Sequence, residues 1–268
     1  MIRLSANLGF LWTDRPLPEA IHAAARAGFA AVELHWPYDV DPALVRRALD
    51  ETGLPVLGLN TVRGDVADGE FGLCALPGRE GDAHRAIGQA FDYAIAIGAT
   101  NVHVMADKAS GDEARRTFVE NLCYASRIGE EKGVSVLIEP LNTRDVSGYF
   151  LTDAETAQSI IVETGCDNIR IMYDCYHMKI MGADLISGIQ RHLPAIGHIQ
   201  FAAVPDRGEP DQGEVDYLRL LPAIVEQGYT GFLGAEYKPR GGSTDAGLGW
   251  LADFRRRWRS EEKTEAAT

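Results

Sequence analysis

The chain has 268 residues, 46% hydrophobic and 24% charged, which suits one large α/β domain or two small ones and excludes disorder as its main character. Lys and Arg number 26 against 39 Asp and Glu, a formal charge of −13. That sign is opposite to a nucleic-acid binder's and repels free polyphosphates and anionic membranes. Cys74, Cys123, Cys166 and Cys175 show no C-x-x-C spacing; they are too sparse for a disulfide framework and point to a reducing compartment. The first twelve residues lack a signal-peptide core, and no window holds the roughly 18 apolar residues of a membrane helix. The expectation is a cytoplasmic protein without membrane or nucleic-acid partners; a homo-oligomer is compatible with this composition.

Eight short apolar runs follow one another along the chain, at 2–8, 30–36, 55–60, 101–105, 135–141, 169–174, 196–201 and 231–237. Each is apolar on both phases and bounded by Gly, Pro, Asp or Asn, as parallel strands covered on both faces require. Helical patterns lie between them. Asp41-Pro42 opens one that stops at Gly53. A second runs over 82–97 and ends at Gly98, a third over 153–164 with an acidic first turn and Gly165 behind it, and a fourth over 217–227 before Gly228. Residues 61–79 form the longest irregular stretch, a length that suggests a functional or lid-like loop. Neither G-x-G-x-x-G nor G-x-x-x-x-G-K-[ST] is present, so no nucleotide cofactor is expected. Eight βα units without a dinucleotide fingerprint favour a (β/α)8 TIM barrel over a doubly wound sheet. The expected organisation is one barrel domain over 1–258 and a polar C-terminal tail, 259–268.

In such a barrel the chemistry sits at the C-terminal ends of the strands. Four apolar runs end on an out-of-place polar residue: Glu139, Asp174, Gln200 and Glu236, spaced 35, 26 and 36 residues in turn. These are about one βα unit apart, so they fall on four consecutive strands at similar height. A carboxylate closing an apolar strand is costly unless it is paired or metal-bound. Three carboxylates and an amide oxygen suit a hard divalent ion, Mg²⁺ or Mn²⁺, better than Zn²⁺. The competing reading makes them strand-end caps or partners of Arg144, Lys179, Arg207 or Lys238.

L-I-E-P-L-N at 137–142, Y-D-C-Y-H-M at 173–178, G-H-I-Q at 197–200, R-G-E-P at 207–210 and A-E-Y-K-P at 235–239 resemble the hydroxypyruvate isomerase family of the xylose isomerase-like barrels. The resemblance extends from S-A-N-L at 5–8 to G-L-G-W at 247–250. It implies that Glu139, Asp174, Gln200 and Glu236 are the metal ligands, with Glu139 and Glu236 as the proton donor/acceptor pair. Gln200 stands where related ketose 3-epimerases carry His. The F-A-A-V-P that follows Gln200 departs from the Asp-Asn pair of some relatives, which leaves the ligands untouched and bears on the substrate.

An α-hydroxy carbonyl compound chelates a divalent ion, which stabilises the enediolate formed when the C–H proton leaves. One carboxylate takes that proton and the other returns one to the neighbouring carbon. With hydroxypyruvate the product is tartronate semialdehyde. The alternatives are a 2-oxo-tetronate isomerase or a ketose 3-epimerase with the same ligands. Further off are an abasic-site endonuclease, which would need several His and a basic groove, and a barrel that only binds a sugar acid. An acidic substrate needs local cations, for which Arg207 and Lys238 are the candidates; a Schiff-base Lys238 is a sharper alternative. His177, three residues past Asp174, is a candidate for the substrate oxygen. His103 is a candidate for the cavity floor, while Asn7 and His35-Trp36 are candidates for a wall. Glu33 and His198 read as interior structure, and Cys175 faces away.

Overall fold

Eight parallel strands form one sheet in the order β2-β1-β8-β7-β6-β5-β4-β3 in a computed structural model that describes residues 2–265. The strands are β1 (Leu4–Asn7), β2 (Ala31–Glu33), β3 (Gly58–Asn60), β4 (Asn101–His103), β5 (Ser135–Ile138), β6 (Ile169–Asp174), β7 (Ile196–Phe201) and β8 (Leu233–Ala235). A parallel bridge between Val32 and Val56 joins β2 to the approach of β3. It brings the two ends of the strand order together, so the sheet closes into the expected TIM barrel. Most strands are shorter than the apolar runs that announce them. The runs continue into the loops because burial continues there: Leu34, Met105 and Tyr237 lie past the ends of their ladders and are almost fully buried.

The helices between the strands are α1 (Leu17–Ala27), α2 (Pro42–Thr52), α3 (Glu80–Ile97), α4 (Gly111–Lys132), α5 (Ala154–Thr164), α6 (Cys175–Ile180), α7 (Leu185–His192) and α8 (Tyr217–Glu226), followed by α9 (Thr244–Gly247) and α10 (Gly249–Glu265). Local chemistry accounts for their ends. The Asp41 carboxylate accepts from Ala43 N (2.9 Å) at the start of α2, and Asp153 accepts from Thr156 N (2.7 Å) at the start of α5. Gly53, Gly98 and Gly165 stop α2, α3 and α5 in the left-handed region. No helix among the described residues is long and apolar enough to cross a membrane.

Two connecting stretches have more structure than their composition alone suggests. The polar tail expected at 259–268 begins inside α10, whose backbone stays helical through Glu265; residues 266–268 lie outside those described. The helix is held to the barrel by its apolar first half, where Trp250, Phe254 and Trp258 stack edge to face in series. The irregular stretch 61–79 is a strap anchored at both ends, the first by Thr61, whose N donates to His103 O (2.9 Å) and whose Oγ1 accepts from Met105 N (3.0 Å). Leu73, Cys74 and Ala75 are buried, Phe71 N donates to Asp107 Oδ1 (2.9 Å), and 64–69 remains exposed.

Candidate active site

Strand register brings the four polar strand ends to one level. Asp174 pairs with Gln200 across β6 and β7, and Gln200 pairs with Gly234 across β7 and β8. Glu139 and Glu236 each lie one residue past their strands. All four are buried, Asp174 completely. One oxygen of Glu139, one of Asp174 and one nitrogen of His177 lie within 4.8 Å of one another. Glu236 stands across Arg207, whose Nη2 donates to Asp174 Oδ2 (3.1 Å) and Glu236 Oε2 (2.9 Å). The guanidinium therefore occupies the position of a counter-ion between two carboxylates. Arg207 adopts φ 56°, a left-handed conformation that costs a non-glycine residue about 1–2 kcal/mol. Two backbone bonds hold it there, Arg207 N to Ala203 O (2.9 Å) and Lys238 N to Arg207 O (2.7 Å).

Gln200 is oriented from behind. Its Nε2 donates to Glu33 Oε2 (2.7 Å), and Glu33 also accepts from Ser5 Oγ (2.5 Å) and lies 3.0 Å from His198 Nε2. Burial raises the Glu33 pKa, but the His198, Ser5 and Gln200 contacts outweigh it and hold the carboxyl below its ordinary value. An ionised carboxylate can only accept, so Gln200 must present its nitrogen to Glu33 and its oxygen elsewhere. Gln200 Oε1 and Glu139 Oε1 are both buried without a hydrogen-bond partner. Buried acceptors are normally satisfied. Two unsatisfied oxygens among converging carboxylates fit a hard cation, and the donor set is the oxygen-rich one that Mg²⁺ or Mn²⁺ prefers.

The surrounding groups are locked by directional contacts. His177 Nδ1 accepts from the backbone N–H of Asn142 (3.0 Å). Burial, then the charge of Arg207, lowers the His177 pKa to about 3, so the ring is neutral. Its one proton is therefore on Nε2, 3.6 Å from Asp174 Oδ2 and 3.9 Å from Glu139 Oε1. In this tautomer His177 is a donor rather than a metal ligand. Glu236 Oε1 accepts from Asn7 Nδ2 (3.2 Å) and lies 2.8 Å from His35 Nε2. His103 Nδ1 lies 3.2 Å from Asn60 Oδ1 and 3.6 Å from Glu139 Oε2, and burial lowers its pKa to about 3 as well. The two glutamates are pushed apart. Burial, then the charges of Glu236 and Asp174, raises Glu139 well above the carboxylate range. Burial also raises Glu236, but Arg207 and then His35 outweigh it and bring it below.

Of the sequence-derived candidates, Asn7, His103, His177 and Arg207 all contact the carboxylates. Lys238 does not: it is exposed, with Nζ 5.5 Å from the centre of the Phe10 ring. Arg144 pairs with Asp145 and Tyr176 rather than with a strand-end carboxylate. Ala202 and Ala203 are fully buried. Two residues do more than their place in the sequence indicates. His35 bonds a site glutamate, and Glu33 orients Gln200. Glycines carried the signal. A Cβ at Gly9 would stand 1.9 Å from the His35 ring, and one at Gly234 would stand 2.3 Å from Glu33 Oε1.

A family model described as "Xylose isomerase-like TIM barrel" matches residues 21–254. The chain belongs to the xylose isomerase-like TIM barrel family. Within it, the chain is 45% identical to the 2-oxo-tetronate isomerase of Cupriavidus necator, over 95% of this chain and 99% of that one. It is 36% identical to the hydroxypyruvate isomerase of Escherichia coli, over 95% and 100%. These relatives are isomerases, and the chain is an isomerase of the same kind. A solved structure titled AP endonuclease, family 2, from Brucella melitensis superposes with a TM-score of 0.90 at 38% identity, covering 94% of this chain and 99% of that one.

Proposed function

We propose that the protein is a cytoplasmic, Mg²⁺- or Mn²⁺-dependent isomerase of short oxo-acids. It moves a carbonyl between C2 and C3, as in hydroxypyruvate to tartronate semialdehyde. The observation that carries this reading is the pair of buried, unpartnered oxygens, Glu139 Oε1 and Gln200 Oε1, beside Asp174 and Glu236. These four residues would hold the ion. When bound, it supplies Lewis-acid polarisation of the substrate's carbonyl and hydroxyl oxygens. The chain's own groups move the protons. One of Glu139 and Glu236 takes a proton from C3 and the other delivers one to C2, while the O3 hydroxyl proton ends on O2. His177 Nε2–H, between Glu139 and Asp174, is placed to donate to a substrate oxygen. Asn7 and His35 hold the Glu236 carboxylate in one orientation.

The 45% identity to a 2-oxo-tetronate isomerase favours a four-carbon acid as a second reading; the same proton transfers apply with a hydroxymethyl group on C3. A nuclease reading has less support. The formal charge is −13, and the one cluster of potential His, Cys, Asp or Glu ligands among the described residues is the single triad Glu139, Asp174 and His177. The test is a panel of three- and four-carbon oxo-acids with Mg²⁺ or Mn²⁺. Turnover that stops on chelation and returns with metal supports the proposal. No turnover of any oxo-acid, or turnover indifferent to chelator, refutes it.

A further inference from the structure

The carbonyl and hydroxyl oxygens of an oxo-acid belong at the buried carboxylates, so its own carboxylate needs a separate cation nearer the mouth. Arg207 is committed to Asp174 and Glu236. Arg63 is not committed. It lies three residues beyond the C-terminal end of β3, on the site's side of the barrel, and is half-buried. Its guanidinium carbon sits 3.9 Å from the centre of the Trp36 ring and 5.7 Å from that of Phe71. No hydrogen bond or ion pair engages the guanidinium among the described residues. Arg79 and Arg240 are neutralised instead: Arg79 pairs with Glu70 and Asp82, and Arg240 with Asp206 and Glu209. In a chain with 39 acidic residues, leaving this guanidinium unneutralised reserves its donors for an exchangeable anion. Burial also lowers its pKa, as expected of a cation without a counter-charge.

The path from Arg63 to the carboxylates is continuous. Trp36 packs on His35 (ring centres 5.0 Å apart), and His35 Nε2 lies 2.8 Å from Glu236 Oε1. The strap that carries Arg63 is pre-formed. Glu70 accepts from Asp65 N (2.7 Å) and pairs with Arg79 (2.6 Å), and Gly72 N donates to Arg63 O (2.9 Å). The guanidinium meets Trp36 through its carbon, and no acceptor among the described residues takes its N–H groups, which suit the bidentate geometry that a carboxylate matches.

We propose that Arg63 receives the substrate's carboxylate, directly or through one water, and makes this site selective for short anionic sugar acids over neutral ketoses. The inference rests on the function proposed above. The experiment is calorimetric binding of tartronate, a non-isomerising analogue, to the Mn²⁺-loaded protein, with hydroxypyruvate kinetics alongside. Arg63→Met keeps contact with Trp36 but loses the charge. It should raise the tartronate Kd and the hydroxypyruvate KM by about 10–100-fold, the range for a hydrogen-bonded charge. kcat should stay near wild type, and binding of uncharged dihydroxyacetone should not change. Arg63→Lys, which keeps charge without the fork, should fall between. If the Met variant does not fold, the Lys variant alone decides, and a wild-type tartronate Kd in it overturns the assignment. Wild-type turnover of oxo-acids with an unaltered Met variant overturns the role of Arg63 alone. A wild-type protein that neither binds tartronate nor turns over any oxo-acid overturns the proposed function and this inference together.

Discussion

Replacing Glu33 tests whether an interior carboxylate sets the ligand at Gln200. Glu33 is 4% exposed, accepts from Ser5 Oγ at 2.5 Å and Gln200 Nε2 at 2.7 Å, and lies 3.0 Å from His198 Nε2. Glu33→Met fills much of the same space and removes every acceptor. Each buried donor left without a partner costs about 1–3 kcal/mol, offset in part because a buried charge is gone. A net loss of about 2–4 kcal/mol lowers Tm by several degrees in a chain of this size. The larger effect falls on the metal. Without Glu33 nothing fixes which end of the Gln200 amide carries the free, buried oxygen. Groups that orient a ligand are typically worth about 10–100-fold in metal affinity, so Mn²⁺ titrated by paramagnetic resonance should bind that much more weakly. Glu33→Gln separates orientation from charge. Its amide nitrogen can turn to Ser5, whose hydroxyl accepts as well as donates, leaving its oxygen for Gln200 Nε2. That variant should keep most of the affinity. Wild-type Mn²⁺ binding in Glu33→Met would refute the orienting role. Equal loss in both variants would show that the charge of Glu33, and not the amide it holds, controls the site.

Glu139→Gln and Glu236→Gln should each cut the rate by about 10²–10⁴-fold while keeping the fold. Deuterium exchange of the substrate's C–H separates the two, since only loss of the abstracting glutamate abolishes exchange. Gln200→His should shift the metal preference toward later transition metals, and an unchanged Mg²⁺, Mn²⁺ and Co²⁺ order in activity would argue that Gln200 does not coordinate. On the loop after β7, the hydrogen bond from Arg240 comes first among the contacts that hold the Asp206 pKa below its ordinary value. A lowered folded pKa contributes stability above the unfolded carboxyl value and loses it as pH falls through the folded one. The Tm gap between wild type and Arg240→Met should therefore be present at pH 7 and narrow below about pH 4, the ordinary Asp value; a gap independent of pH would contradict the pairing.

The barrel was legible in the sequence because its signals are local and repeated. Strands covered on both faces read as apolar runs, and helices announce themselves with Asp41, Asp153, Gly53 and Gly165 at their ends. Glu139, Asp174, Gln200 and Glu236 stood out for the same reason: a polar residue ending an apolar run is conspicuous, and spacing near one βα unit predicts a common level. What spacing cannot carry is direction and partnership. Arg207 and Lys238 looked alike as nearby cations. Only the tertiary structure turned Arg207, through a left-handed backbone, onto Asp174 and Glu236, and left Lys238 outside over Phe10. Glu33 looked like an interior pair because its partners, Ser5 on β1 and His198 and Gln200 on β7, come from strands separated in sequence. Arg63 gave no signal at all, since being unpaired is a property of its surroundings. The pattern of apolar and polar residues along the chain determines the barrel and the height of the polar ring. Closure of the sheet, which brings β1 beside β8 and β2 against the approach of β3, decides which of those groups meet, because hydrogen bonds and ion pairs depend on distances of a few ångströms that chain separation does not encode.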